Sequence, residues 1–213
     1  MADDITVVSS DVEDIGDTKY QIENHRKYLK YIENHANSDS DLDGQYHKHN
    51  LTGETLAGPG KISFRSPTYY FIDQLAYGDI DPDYAGDNYS VTFLHLGSKL
   101  SGHQQIVHGG LLATLLDELT CLLAFENFES KKGVTANLNI NYRRPTYVNN
   151  YVLVKCKIIK KIGRKCWVKG EVYLVDLLDE AEIESPENLL TECEVLVIEP
   201  KWVKDLQSES KET

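Results

Sequence analysis

The chain has 213 residues, of which 41% are hydrophobic, and its 22 basic against 34 acidic residues give a formal charge of −12. That length fits one decorated domain, and the acidic balance argues against a nucleic-acid-binding protein, which needs a basic footprint. No apolar run is long enough for a membrane span.

Residues 1–60 read as an acidic, largely flexible region. "MADDITVVSSDVEDIGD" carries six acids and no base, which suits neither a transit peptide nor a signal-peptide core. Cytoplasm is therefore the default expectation, with mitochondria and peroxisomes left open. Ile22, Tyr28, Leu29 and Ile32 recur near helical spacing and predict a short helix over 21–36. Residues 37–60 are rich in Gly, Asp, Asn and His, so His47 and His49 are expected to be solvated loop residues. Residues 61–88 read as a docked aromatic segment and a turn-rich loop, without the Gly and Glu register of a calcium loop.

The core is expected over 89–200, with a polar tail at 201–213. Tyr89–Gly97 alternates as a strand, and Gly109–Phe125 is a long apolar helix. Four more strands follow at Val134–Tyr142, Tyr151–Lys161, Lys165–Val175 and Thr191–Ile198, and their spacing predicts meander connections. Val134–Tyr142 alternates strictly, with Thr135, Asn137, Asn139 and Asn141 sharing one face. One apolar helix beside such a sheet packs economically in one way: the antiparallel sheet wraps the helix, an α+β fold.

The helix carries an aliphatic stripe, Leu112, Leu115, Leu116, Leu119, Leu122 and Leu123, and a small-residue stripe, Gly110, Ala113, Thr114, Asp117, Cys121 and Ala124. Asp117 and Glu118 have no basic residue three or four positions away. A buried carboxylate needs a partner or a task. Asp117, on the small-residue stripe, is expected to be catalytic, whereas Glu118 is expected to face the sheet edge or solvent. Gly109 and Gly110 open the helix, where free N–H groups and the helix dipole suit a developing oxyanion, with His108 as a cap-like residue. Cys121, Cys156, Cys166 and Cys193 lack C-x-x-C spacing and read as buried free thiols, with no metal site. Lys99–Val175 carries a local charge of +7, which suits an anionic ligand.

"HGGLLATLLDE", "GVTANLNINYRRPT", "KKIGRKCWVKGEVYLVD" and "LLTECEVLVI" follow one another between Tyr89 and Glu199. In this the chain resembles the hotdog-fold acyl-CoA thioesterases of the PaaI-like and THEM-like superfamily. The resemblance implies a hotdog fold, a homodimer or homotetramer with active sites at the subunit interface, and an acyl-CoA substrate, with no cofactor beyond the CoA it carries. It places the acid at Asp117, the backbone donor at Gly109 or Gly110, the motif histidine at His108 and the small hydroxyl residue at Thr135, supplied by the partner chain, with Asn137 as its neighbour. Where several relatives have an Asn six residues before the motif histidine, this chain has Gly102, so His103 and Gln104 are the candidate replacements.

The implied reaction is thioester hydrolysis, with Asp117 as general base or nucleophile. Arg143, Arg144, Lys160, Lys161, Arg164 and Lys165 are the candidate phosphate-binding residues. The rival readings are a hotdog hydratase or dehydratase and a non-catalytic acyl-CoA-binding module.

Overall fold

The computed structural model describes residues 50–72, 78–83, 86–175 and 183–202. The chain divides into two compact units, 1–35 and 36–213, and the account below concerns the second. The acidic arm, the helix expected at 21–36, His47, His49 and the tail beyond residue 202 lie outside the described residues.

One long helix, α1 (Gly109–Glu126), lies against a seven-stranded sheet. The sheet comprises β1 (Ile62–Arg65), β2 (Tyr69–Ile72), β3 (Asn88–Leu96), β6 (Val134–Tyr142), β7 (Asn150–Ile162), β8 (Lys165–Val175) and β9 (Leu189–Ile198). A two-stranded ribbon, β4 (Ser101–His103) and β5 (Ile106–Val107), precedes the helix. This is the expected α+β hotdog arrangement. The expected aliphatic stripe is its core: Leu112, Leu115, Leu116, Leu119, Leu122 and Leu123 are each at most 3% exposed. Removing such a side chain from water contributes roughly 1.5–3 kcal/mol. Val154, Val168, Val195 and Val197 meet the stripe from the sheet.

Gly170, in mid-β8, sets how closely the two layers approach. A Cβ there would lie 2.8 Å from both Leu116 Cδ2 and Cys193 Sγ. The helix therefore seats a leucine where any other residue would hold it off. At the far end, Asn127 caps the helix, bonding Leu123 O at 2.9 Å and exchanging amide bonds of 2.7 and 3.1 Å with Asn88 of β3.

Two expectations are corrected. The sheet order is β1–β3–β7–β8–β9–β6, with β2 also on β3. Strands β7, β8 and β9 form the expected meander, but β6 pairs with β9 rather than with its chain neighbour β7. Pro145 lies in the connection leading away from β6, and that connection carries the chain from the sheet edge to its centre. The aromatic segment before residue 89 is also more than a docked piece, because β1 and β2 extend the sheet.

A third difference bears on the site. β6 does not alternate strictly. Its register on β9 shifts between Thr135, opposite Val197, and Asn137, opposite Leu196. The extra residue at this bulge turns Thr135 to the helix side, the side of Leu138 and Ile140, while Asn137, Asn139 and Asn141 face the other way.

Candidate functional site

Most of α1 is buried, and a stripe through its first half is open, with Gly109, Glu118 and Phe125 also half-buried. Gly110 is exposed, and Ala113, Thr114 and Asp117 are half-buried. Cys121 and Ala124, expected on the same stripe, are buried. Across from the opening runs β6, with Val134, Thr135, Ala136 and Asn137 exposed.

Asp117 and Thr135 meet there. The Thr135 hydroxyl donates to Asp117 Oδ1 at 2.6 Å. Both residues belong to one chain, which corrects the expectation that Thr135 comes from a partner. The bulge accounts for the contact, since strict alternation would leave Thr135 on the far face with Asn137. Asn137 stays on that face and is not Thr135's neighbour at the site. Below Thr135, Cys121 Sγ lies 3.1 Å from the same hydroxyl.

The helix start separates the two glycines. His108 is the N-cap, and its Nδ1 accepts the Gly110 N–H at 2.9 Å. Gly110 is thereby excluded as the open donor. No acceptor meets the Gly109 N–H among the described residues, as expected for the first N–H of a helix. Tyr142, which sequence reasoning missed, donates its hydroxyl to Gly109 O at 2.8 Å and packs its ring on that glycine. The Gly109–Gly110 peptide is thus held at both ends. An imidazole accepting at Nδ1 carries its proton on Nε2, so His108 presents an Nε2–H donor.

Gly102 is explained by the same ring. A Cβ at 102 would fall 2.8 Å from His108 Cδ2 and 3.0 Å from its Cα, so the histidine occupies the room a side chain would need. His103 and Gln104 stand exposed at the β4–β5 turn, where Gln105 adopts a positive φ of 61°.

Glu118 is turned away from this opening, toward the sheet edge as expected. There it accepts from Arg65 Nη1 of β1 at 2.9 Å and from the Thr52 hydroxyl. Arg65 also donates to Thr52 Oγ1 at 3.0 Å. Asn50 caps the turn Leu51–Thr55 that presents Thr52. A basic partner 53 residues away in the chain was beyond any local pattern.

Within one chain the basic residues do not gather in one place. Arg143 pairs with Glu192, Arg144 donates to Glu187 O, and Arg164 donates to Glu199 O at 2.8 Å. Lys161 is buried and donates to Gly78 O at 2.8 Å, and Lys160 lies over the Trp167 ring. Arg143 and Arg144 follow the Tyr142 end of β6, whereas Arg164 and Lys165 lie at the Val134 end, across β9. The length of β6 separates the two pairs, about 26 Å at strand rise. No helix among the described residues is long and apolar enough to cross a membrane.

Comparison with known proteins adds to this geometry. The model of the "Thioesterase superfamily" family matches residues 104–178, the stretch from the β4–β5 turn to the end of β8. An uncharacterized mitochondrial protein of Candida albicans is 31% identical over 170 residues, 80% of this chain and 69% of that one. The acyl-coenzyme A thioesterase THEM4 of Mus musculus is 33% identical over 87 residues, 41% of this chain and 36% of that one. Among solved structures, the PaaI protein of E. coli aligns with 54% of this chain and 75% of its own at 11% identity and a TM-score of 0.44. The chain spans between about a third and two thirds of the length of these and other curated relatives it matches.

Proposed function

The chain belongs to the thioesterase superfamily, and from that premise we propose that it hydrolyses an acyl-CoA thioester to the free acid and CoA. The observation that carries the reading is the Thr135–Asp117 hydrogen bond on the open stripe of a largely buried helix. Thr135 occupies Oδ1, which leaves Oδ2 to take a proton from water. The water oxygen bonds to the thioester carbonyl carbon, its proton goes to Asp117, and the carbonyl oxygen takes negative charge. The C–S bond then breaks, the carbonyl re-forms, and the CoA sulfur leaves with the electron pair and is protonated.

The oxyanion needs donors that Asp117's own helix start cannot bring. Gly109 lies eight residues earlier in the helix, about 12 Å at helical rise. One carbonyl cannot touch both, so the complete site takes Asp117 and Thr135 from one chain and the Gly109 N–H from a second. Strand β6 supports this arrangement. It is the edge of the sheet, and its outer side has no strand among the described residues. Pairing two β6 edges antiparallel sets the Thr135 end of one beside the Tyr142 end of the other, where Gly109 is held. The His108 Nε2–H is the second donor at that mouth, in place of a side chain at Gly102. In that pairing the Arg143–Arg144 end of one chain lies beside the Arg164–Lys165 end of the other, so both pairs are candidates for CoA phosphates at the mouth. The mitochondrial name of the Candida relative favours that compartment over the cytoplasmic default.

Steady-state kinetics on short, medium, long and aromatic acyl-CoA substrates test the reading. Asp117→Asn is expected to lower kcat at least a hundredfold while substrate still binds. In single turnover in 18O-water, label enters the released acid and not the Asp117 carboxyl. Binding without hydrolysis of any acyl-CoA by the parent protein rejects the hydrolase and leaves a non-catalytic acyl-CoA-binding module, whereas undiminished turnover in Asp117→Asn moves the base to another residue. Label in Asp117 replaces the general base with a nucleophile.

A further inference from the structure

Cys121 is the group at this site that the reaction above leaves unused. It stands four residues after Asp117, on the same helix face one turn on. It is 9% exposed, and its sulfur lies 3.1 Å from Thr135 Oγ1. The direction of that bond follows from counting protons. Threonine has one hydroxyl proton, and a carboxylate only accepts. The 2.6 Å bond to Asp117 Oδ1 uses the Thr135 proton, so the hydroxyl oxygen can only accept from the thiol. Burial, reinforced by the charges of Asp117 and Glu118, pushes the Cys121 thiol up to about 11, so the S–H proton is present at neutral pH.

We infer that Cys121 is a positioning residue of the hydrolytic site: its S–H donates to Thr135 Oγ1 and so commits the Thr135 proton to Asp117. The inference rests on the thioesterase reading and deepens it. Without the thiol, the Thr135 hydroxyl is free to turn away from Asp117, and the carboxylate loses the partner that fixes its orientation. With the thiol in place, two bonds in series polarise one another. One lone pair on Thr135 remains, and it is free to accept a hydrogen bond from the second O–H of the attacking water. Cys121 touches neither substrate nor the reacting atoms and acts only through Thr135.

The test compares donors of similar size in the full chain. Cys121→Ser keeps a donor and is expected to hold kcat within about twofold of the parent. Cys121→Ala and Cys121→Val remove it and are expected to lower kcat roughly three- to tenfold, the range of one neutral hydrogen bond, with KM unchanged. In a Thr135→Ala background, Cys121→Ala is expected to add no further loss, because the route to Asp117 is already cut. A spectroscopic reading stands apart from activity. The S–H stretch isolated by subtracting the Cys121→Ala infrared spectrum from the parent's is expected to shift when Thr135 becomes Ala. Parent-like kcat in Cys121→Ala and Cys121→Val, or a Cys121→Ser loss as deep as theirs, overturns the proposal. So does an S–H band indifferent to Thr135. Absence of acyl-CoA hydrolysis in the parent protein instead rejects the thioesterase reading, so the two failures are told apart.

Discussion

About 100° of helix rotation separates Asp117 from Glu118 and points them at different surroundings. Asp117 looks out through the small-residue stripe onto Thr135, whereas Glu118 looks sideways onto Arg65 and Thr52. The same chemical group is therefore available for reaction at one position and committed to structure at the next. Glu118→Gln is expected to retain most turnover and to lose stability. It leaves Arg65, whose side chain is 11% exposed, facing a neutral amide. The cost is about 1–3 kcal/mol, or roughly 3–9 °C in Tm for a domain of this size. Thermal melts read beside kcat check it: a dead but stable Glu118→Gln protein reverses the two roles. His108 was legible as a cap from the "HGG" pattern. Its consequences, a closed Gly110 and an open Gly109, were not, because they depend on where an imidazole ring rests against Gly102.

Strong periodicity makes an element legible in the sequence, and a single residue that breaks the period is not legible there. The leucine stripe predicted the helix core, and the structure buries it as predicted. "VTANLNINY" reads as perfect alternation, yet the bulge between Thr135 and Asn137 reverses the first two residues relative to the rest. Nothing in the residue types announces that bulge, since its cause is the register against β9. Gly170 is a similar case. In the sequence it is a weak point in a strand, and in the fold it is the clearance for Leu116 and Cys193. Gly170→Ala is expected to cost about 1–3 kcal/mol by overpacking. Denaturant unfolding measures this, and an unchanged midpoint means that the two layers separate more easily than their packing implies.

At the scale of the molecule, the exposed edge is the feature that calls for explanation. Val134 is 48% exposed and Tyr142 54% at the two ends of a nine-residue edge strand, the kind of template another strand pairs with. The proposed site requires that pairing, because Gly109 and Asp117 of one chain stand too far apart to share a carbonyl. Asn139→Lys, near the middle of β6, places like charges close together across a two-fold axis. It is expected to shift the protein toward monomer and to lower kcat in parallel, as sedimentation and kinetics on the same samples would show. Full activity in a monomeric variant means that one chain holds a whole site.

From the sequence alone followed the α+β class, the extent of the helix and of the strands from residue 89 on, the burial of all four cysteines and the different surroundings of Asp117 and Glu118. Each rests on composition and on periods of 2 and 3.6 residues, which are local properties of a chain. The place of β6 at the sheet edge, the pairing of Thr135 with Asp117 in one chain and the hold of Arg65 on Glu118 were decided only by the tertiary structure. So was the separation of the basic residues. These depend on register and on contacts between residues 18 to 53 positions apart, and one residue's shift in register moves a side chain from one face of a sheet to the other.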